Sequence, residues 1–364
     1  MTEAQVVEAL KGVMEPELKK DIISLGLVEN IQVADKKVAF TVSIGSPAMN
    51  VKKRFEEACI FNVQRAVGID TEVEVTIKTL PADRSPELRK VLNGAKNIIA
   101  VASGKGGVGK STVAVNIATG LAKKGFKVGF IDADIYGPSA PIMFDLEGSK
   151  PVLQDIDGEK KIKPLESYGV KVLSIGFFAD TSQAIVWRGP MASKAVNQMI
   201  KDVHWGELDY MVLDLPPGTG DIHLTLVQNI PITGAVVVST PQTVALADCA
   251  KGVGMFQMEA INVPVLGIVE NMSYFSPAEL PNNKYYIFGE GGAKKMAQEL
   301  NVPLLGEIPL VQSIREAGDV GRPAVLQENT VSAQVMDNII DNMIEQIKVR
   351  NESKEPTKTV KINR

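Results

Sequence analysis

The sequence holds few of the residues that build metal and disulfide scaffolds. Among its 364 residues are two cysteines, Cys59 and Cys249, and two histidines, His204 and His223. Two cysteines are too few for a disulfide framework or for a Cys-built metal site within one chain. Neither histidine has ligand partners at metal spacing, so both read as structural, although His223 lies near a candidate switch segment. An excess of positive charge is also missing. The net charge of −4 supplies no global field that would attract nucleic acid or an anionic membrane. No apolar run approaches the roughly 18 to 20 residues of a membrane span. The start, Met1-Thr2-Glu3-Ala4-Gln5, lacks the basic and apolar regions of a signal peptide. These absences lead us to expect a cytoplasmic protein with neither a nucleic-acid nor a membrane partner.

What is present is an average soluble composition, 45% hydrophobic and 23% charged, of a length that suits about two domains. Residues 1–80 carry their own pattern. Thr2 is a plausible N-cap for a helix burying Val6, Val7, Leu10 and Val13. Alternation over Leu27–Val33 and Val38–Ile44 predicts two strands, and a helix with Val51, Phe55, Ala58, Cys59 and Val63 on one face follows. Glu72–Lys78 alternates as a last strand. The order α-β-β-α-β describes a small α+β domain with one half-exposed sheet.

Residues 81–96 are polar and proline-marked and read as a linker. Beyond it, short apolar strands alternate with helices: Ile98–Ala102, Val128–Ile131, Val170–Ile175, Tyr210–Leu213, Ala235–Ser239 and Val265–Val269. This pattern predicts an α/β domain over residues 97–349, a mostly parallel sheet with helices on both faces. Residues 350–364 are charged and aperiodic and read as a disordered tail.

The strongest motif is the run Ser103-Gly104-Lys105-Gly106-Gly107-Val108-Gly109-Lys110-Ser111-Thr112. It contains G-x-x-x-x-G-K-[ST], follows an apolar strand and opens a helix from Ser111 to Lys124, which is the context a phosphate loop requires. Glycines let successive N–H groups converge on phosphate oxygens, and the helix N-terminus favours negative charge. Lys110 is expected to reach the β- and γ-phosphates and Ser111 to ligate Mg²⁺. Lys105 is either a solvated lysine or a second phosphate contact. With it the loop resembles that of the MinD and ParA group of ATPases, which implies that Lys105 touches nucleotide across a dimer interface.

Two later strands end in acids, Asp132-Ala133-Asp134 and Asp214. Carboxylates at the C-terminal ends of parallel strands share the edge where ligands bind in open α/β sheets. We expect Asp214 to hold the Mg²⁺ shell through water and Asp134 to position the attacking water, with Gly218 and Gly220 in a switch loop. Asn271 has an amide able to read the adenine edge, or it is a turn residue.

Further runs extend the resemblance: Asp132-Ala133-Asp134-Ile135-Tyr136-Gly137-Pro138-Ser139, Trp187-Arg188-Gly189-Pro190-Met191, Asp214-Leu215-Pro216-Pro217-Gly218-Thr219-Gly220-Asp221 and Gly306-Glu307-Ile308-Pro309-Leu310. Together they resemble the Mrp/ApbC family of ATP-binding iron–sulfur cluster carriers over about residues 97–345. Glu15-Pro16-Glu17-Leu18 and Ile22–Val28 resemble the small cluster-assembly domain often fused in front of it. The resemblance implies an ATP-hydrolysing homodimer that passes clusters to apo iron–sulfur proteins from an assembly scaffold. It further implies a 4Fe–4S cluster bridging the subunits through a C-x-x-C pair from each, placed after Glu270–Phe275.

Here the sequence departs from the family. It reads Ser276-Pro277-Ala278-Glu279 at that place, and Met49 stands where the first domain's cysteine is expected. Ser, Glu and Met are poor ligands for iron–sulfur clusters. Cys59 and Cys249 both fall on helix-like stretches and read as buried, inert thiols, although a dimer would pool four of them. Two other readings stay open: a nucleotide-switched adaptor that holds no cluster, and a positioning ATPase like MinD or ParA. For the latter, Met336, Ile339, Ile340, Met343, Ile344 and Ile347 make an apolar stripe on a C-terminal helix. Its other face carries Asp337, Asp341 and Glu345, which anionic lipid repels, so core packing is expected.

Overall fold

The computed structural model describes residues 2–15, 20–34, 37–44, 49–79, 92, 94–156, 158–178, 195–196, 198–220, 223, 226–227, 230–259, 261–277, 279–280 and 282–354. The chain divides into two compact units, residues 1–89 and 90–362. The motifs Pro16–Leu18 and Trp187–Met191, Asp221 and most of the expected linker lie outside the described residues.

In the first unit, α1 (Glu3–Leu10) starts at a capping box: Gln5 N–H donates to Thr2 Oγ1, and Thr2 N–H donates to Gln5 Oε1. Short segments β1 (Met14–Glu15) and β2 (Lys20–Asp21) pair antiparallel. They precede β3 (Val28–Ala34), β4 (Lys37–Ile44), α2 (Met49–Val67) and β5 (Glu72–Thr79). The central β4 pairs antiparallel with β3 and parallel with β5. Its Val38, Phe40 and Val42 pack on Val6, Leu10, Phe55, Cys59 and Val63 from the two helices. The charged side chains of Glu72, Glu74 and Lys78 alternate outward on β5, as a half-exposed sheet requires. Val7, expected on the buried face, is only half-buried.

The second unit runs β6 (Ala95–Ser103), α3 (Lys110–Lys123), β7 (Val128–Asp132) and α4 (Ala140–Met143). A hairpin of β8 (Val152–Ile156) and β9 (Glu159–Lys163) follows, then β10 (Leu165–Ser167), β11 (Val170–Ser174) and β12 (Leu208–Asp214). The chain continues through β13 (Gly234–Ser239), α5 (Thr243–Gln257), β14 (Val265–Asn271) and α6 (Gly292–Glu299). It closes with β15 (Leu304–Ile308), α7 (Gln312–Asp319) and α8 (Val331–Ser353).

The main sheet has eight strands in the order β10-β11-β7-β12-β6-β13-β14-β15, all parallel except β10. Two of its strands, β10 and β15, and the separate hairpin β8–β9 go beyond the expected set. The hairpin exposes Val152 and Leu153 and carries four lysines or glutamates on β9, so it has no apolar face to announce it. β6 begins at Ala95, inside the stretch expected as linker, and α8 continues through Ser353 into the stretch expected as tail. That helix is held by its apolar stripe. Met336, Ile339, Ile340, Met343 and Ile347 are buried, and Lys123 at the end of α3 and its C-cap Lys124 pair with Asp337 and Asp341 on its flank. The stripe is therefore core, as the charges beside it implied, and no described helix is long and apolar enough to cross a membrane.

The strand order positions the acids at the sheet edge. From β6 the chain passes through α3 to β7, which is not its neighbour, and β12 later fills the place between them. Asp214 at the end of β12 thus stands in register with Asp132 on one side and Val101 on the other.

Candidate functional site

The loop between β6 and α3 is shaped by contacts at its two ends. Gly109 is the helix N-cap with φ +81°, a left-handed conformation, and a Cβ there would press into the Asn271 amide. At Gly104 a Cβ would run into the backbone carbonyl of Asp248 on α5. Between them Val108 is buried as an anchor, while Gly107 has open space before it and Gly106 faces only the Pro217 ring, 4.0 Å from where a Cβ would stand. The opening is a cavity of about 220 Å³ bounded by Gly106, Gly107 and Gly109 with Lys105, Lys110, Ser111, Thr112, Asp134 and Pro217.

Lys110 points inward rather than to solvent. Its Nζ lies 2.5 Å from Asp214 Oδ1, 3.5 Å from Asp134 Oδ2 and 3.2 Å from Ser111 Oγ. Burial pushes the Asp214 carboxyl above the usual range, against the pull of the Lys110 charge and of hydrogen bonds from Lys110 and Ser111. Asp134 keeps one oxygen, Oδ1, buried and without a hydrogen-bond partner. Lys105 is half-buried on the rim and makes no ion pair among the described residues.

The structure adds Asp132, whose role the sequence did not disclose. Fully buried, it accepts hydrogen bonds from the backbone of Asp134 (3.1 Å), from Ala140 (3.2 Å) and from Ser174 Oγ (2.8 Å). It thereby holds the turn that carries Asp134 into the cavity. Burial, then the charge of Asp214, pushes its carboxyl up to about 7. The only signal in the sequence was the D-x-D spacing at a strand end.

Asn271 stands beneath the loop, and its amide has a partner other than adenine: Nδ2 donates to the Val108 carbonyl at 2.9 Å. The segment after Asp214 is also tied to the loop, since Leu215 N–H donates to Val101 and Gly218 N–H to Ser103 (2.9 Å). His223 is buried against this segment. Its ring hydrogen-bonds the Pro216 carbonyl, Nε2 has no partner, and burial lowers its pKa to about 4. Both thiols are fully buried, and burial pushes each up to about 12. Among the described residues no group of His, Cys, Asp and Glu could hold a metal ion by itself.

A parallel sheet that brings a glycine-rich loop, its lysine and two strand-end carboxylates to one edge defines a P-loop NTPase. The chain belongs to the family described as NUBPL iron-transfer P-loop NTPase, which matches residues 94–344. Residues 3–82 match the family described as iron–sulfur cluster assembly protein. The chain is 45% identical to the iron–sulfur cluster carrier protein of Synechocystis over 92% of this chain and 95% of that one. It is 44% identical to the protein of the same description in Escherichia coli K12, over 89% and 86% of the two chains. Among solved structures it is similar to a nucleotide-binding protein of Archaeoglobus fulgidus in complex with ADP, with a TM-score of 0.56 and 39% identity over 65% of this chain and 90% of that one. The cell division ATPase MinD of Pyrococcus furiosus shares the fold, at TM-score 0.50 and 21% identity over 68% of this chain and 98% of that one.

Proposed function

We propose that this chain is a Mg²⁺-dependent ATPase that drives delivery of iron–sulfur clusters to apoproteins. In this reading it works in the cytoplasm as a homodimer, with an assembly scaffold and apo acceptors as partners. The observation that carries the ATPase reading is the burial of Lys110 against Asp214 and Asp134 beside an open cavity. Phosphate oxygens entering that cavity would replace the carboxylates as partners of Nζ, and the N–H groups of Gly106–Lys110 would surround them.

The residues present suit Mg²⁺. Ser111 Oγ and Asp214 are hard oxygen donors, hydrogen-bonded to each other at the inner end of the cavity. Bound there, the ion would neutralise charge between the β- and γ-phosphates. Asp134 Oδ1, buried and unpartnered, is the acceptor for the attacking water, and Asp132 keeps it aimed. Asn271 supports the loop through Nδ2, which leaves Oδ1 to accept from the adenine amino group. Lys105 supplies a charge at the rim that a second copy's nucleotide would meet. The family relationship supports the cluster reading, because the relatives carry that description over most of this chain.

The test is ATP-dependent transfer from a loaded donor to an apo acceptor with wild type and Lys110→Ala. Transfer that needs ATP and is lost in the variant is expected, and transfer indifferent to both rejects the reading.

A further inference from the structure

Resting on that reading, we infer that this chain delivers clusters without holding one on its own thiolates, so that donor and acceptor proteins supply every sulfur ligand. These 364 residues contain two cysteines. Each is fully buried in the core of a different unit. Cys59 sits on α2 among Val6, Leu10, Phe40 and Phe55, and Cys249 sits on α5 hydrogen-bonded with Ser239 of β13. Two copies of the chain would own four thiols, the number a cluster takes. None reaches the surface, so pooling them would require opening both cores in both copies. Burial also pushes each thiol up to about 12, so both stay protonated at neutral pH.

The place after β14 where the family resemblance puts a C-x-x-C pair offers Ser276 and Glu279 instead. A hydroxyl and a carboxylate are hard oxygen donors and a poor match for an iron–sulfur cluster. The described residues of this segment are tied by protein contacts. Phe275 and Tyr285 exchange two backbone hydrogen bonds of 2.8 Å, and Lys284 Nζ lies 4.1 Å from the centre of the Tyr274 ring. In the delivery step the cluster therefore leaves the donor's thiolates for the acceptor's, ligand for ligand, with no net oxidation or reduction. Nucleotide hydrolysis changes only which protein contacts are made.

Two measurements test the inference. The full chain is incubated anaerobically with ferrous iron and sulfide, desalted, and its iron, sulfide and visible absorption are measured. We expect less than about one iron per ten chains. Iron and sulfide retained in stoichiometric amounts overturn the inference. In the second, ATP-dependent transfer from a loaded donor to an apo acceptor is compared for wild type and the Cys59→Ala/Cys249→Ala variant. Rates within about twofold are expected, and a loss of about tenfold or more with hydrolysis intact overturns the inference. Failure of the broader reading looks different, as absence of transfer by wild type, and leaves the loading result readable by itself.

Discussion

Lys110 Nζ and Asp214 Oδ1 lie 2.5 Å apart, with the two side chains 6% and 1% exposed. The lysine comes from the phosphate loop and the carboxylate from a strand that starts about a hundred residues later. Their pairing holds a positive charge at the inner end of the cavity before any anion arrives. Removing Lys110 leaves the buried Asp214 without its cation, with only the Ser111 hydrogen bond, whereas removing Asp214 leaves Lys110 with Asp134 at 3.5 Å. Lys110→Ala is expected to lower the ATP hydrolysis rate by at least about 10²-fold, because the charge aimed at the phosphates is gone. Steady-state phosphate release measures it, and an unchanged rate removes Lys110 from the site.

Asp134 differs from its neighbour in having a free buried oxygen. Asp134→Asn keeps the size and the backbone hydrogen bond to Asp132 but removes the basic oxygen. We expect kcat to fall about 10²-fold or more while nucleotide affinity stays within about threefold. A loss of affinity equal to the loss of rate would show that Asp134 binds rather than activates.

The amide of Asn271 satisfies the buried carbonyl of Val108. In Asn271→Ala that carbonyl loses its donor, at a cost of about 1–3 kcal/mol, and the loop loses its support. Thermal melts with and without ADP separate the effects. A lower Tm in both conditions is expected, together with a smaller ADP-induced increase. An unaltered melt in both would mean that the contact contributes nothing.

His223 makes stability depend on acid. The unfolded chain takes up a proton near the ordinary histidine value of 6.5, whereas the buried ring refuses it down to about 4. Between those values the unfolded state binds more protons, so this group's contribution falls as pH is lowered, by on the order of 3 kcal/mol. Asp132 works in the opposite direction. Its folded form keeps a proton up to about 7, so its contribution falls as pH rises from 3.8 to that value. Denaturant curves of wild type and His223→Gln from pH 7 to pH 4 isolate the histidine, since Asp132 is common to both. The wild-type advantage is expected to shrink steadily on acidification, and parallel curves would contradict the burial of a neutral ring.

The stripe on α8 is a packing surface. Ile340 is 1% exposed and fills the space over Gly120 of α3. Ile340→Ala is expected to cost about 2–5 kcal/mol in denaturant unfolding. Wild type with ATP is expected to stay in the supernatant when sedimented with anionic vesicles, since exposing the stripe would mean undoing that packing. Co-sedimentation that depends on ATP would reinstate the positioning-ATPase reading.

Much of the fold was legible because its signals are local. The phosphate loop is a continuous run, Ser103–Thr112, whose strand and helix flanks are written beside it, and the six expected strands of the second unit correspond to β6, β7, β11, β12, β13 and β14. The hairpin β8–β9 and the edge strand β10 escaped because hydrophobic periodicity reports only strands with a buried face. Asp134 and Asp214 were legible as strand-end acids, but Asp132 two residues away was not separable from them. Aiming a neighbour and activating water use the same side chain, and the difference lies in Ser174 and Ala140, which the chain brings up from elsewhere.

By itself the sequence determined the nucleotide loop, the alternation that makes a parallel sheet, and the number of thiols, since these depend on residue identity and local order. The tertiary structure alone decided that Lys110 faces Asp214, that Asn271 holds Val108, and that neither Cys59 nor Cys249 reaches the surface. Such facts depend on which distant strands become neighbours and on how completely packing excludes water. Burial and pairing set the charge and reactivity of a side chain, and both arise only when the chain has closed on itself.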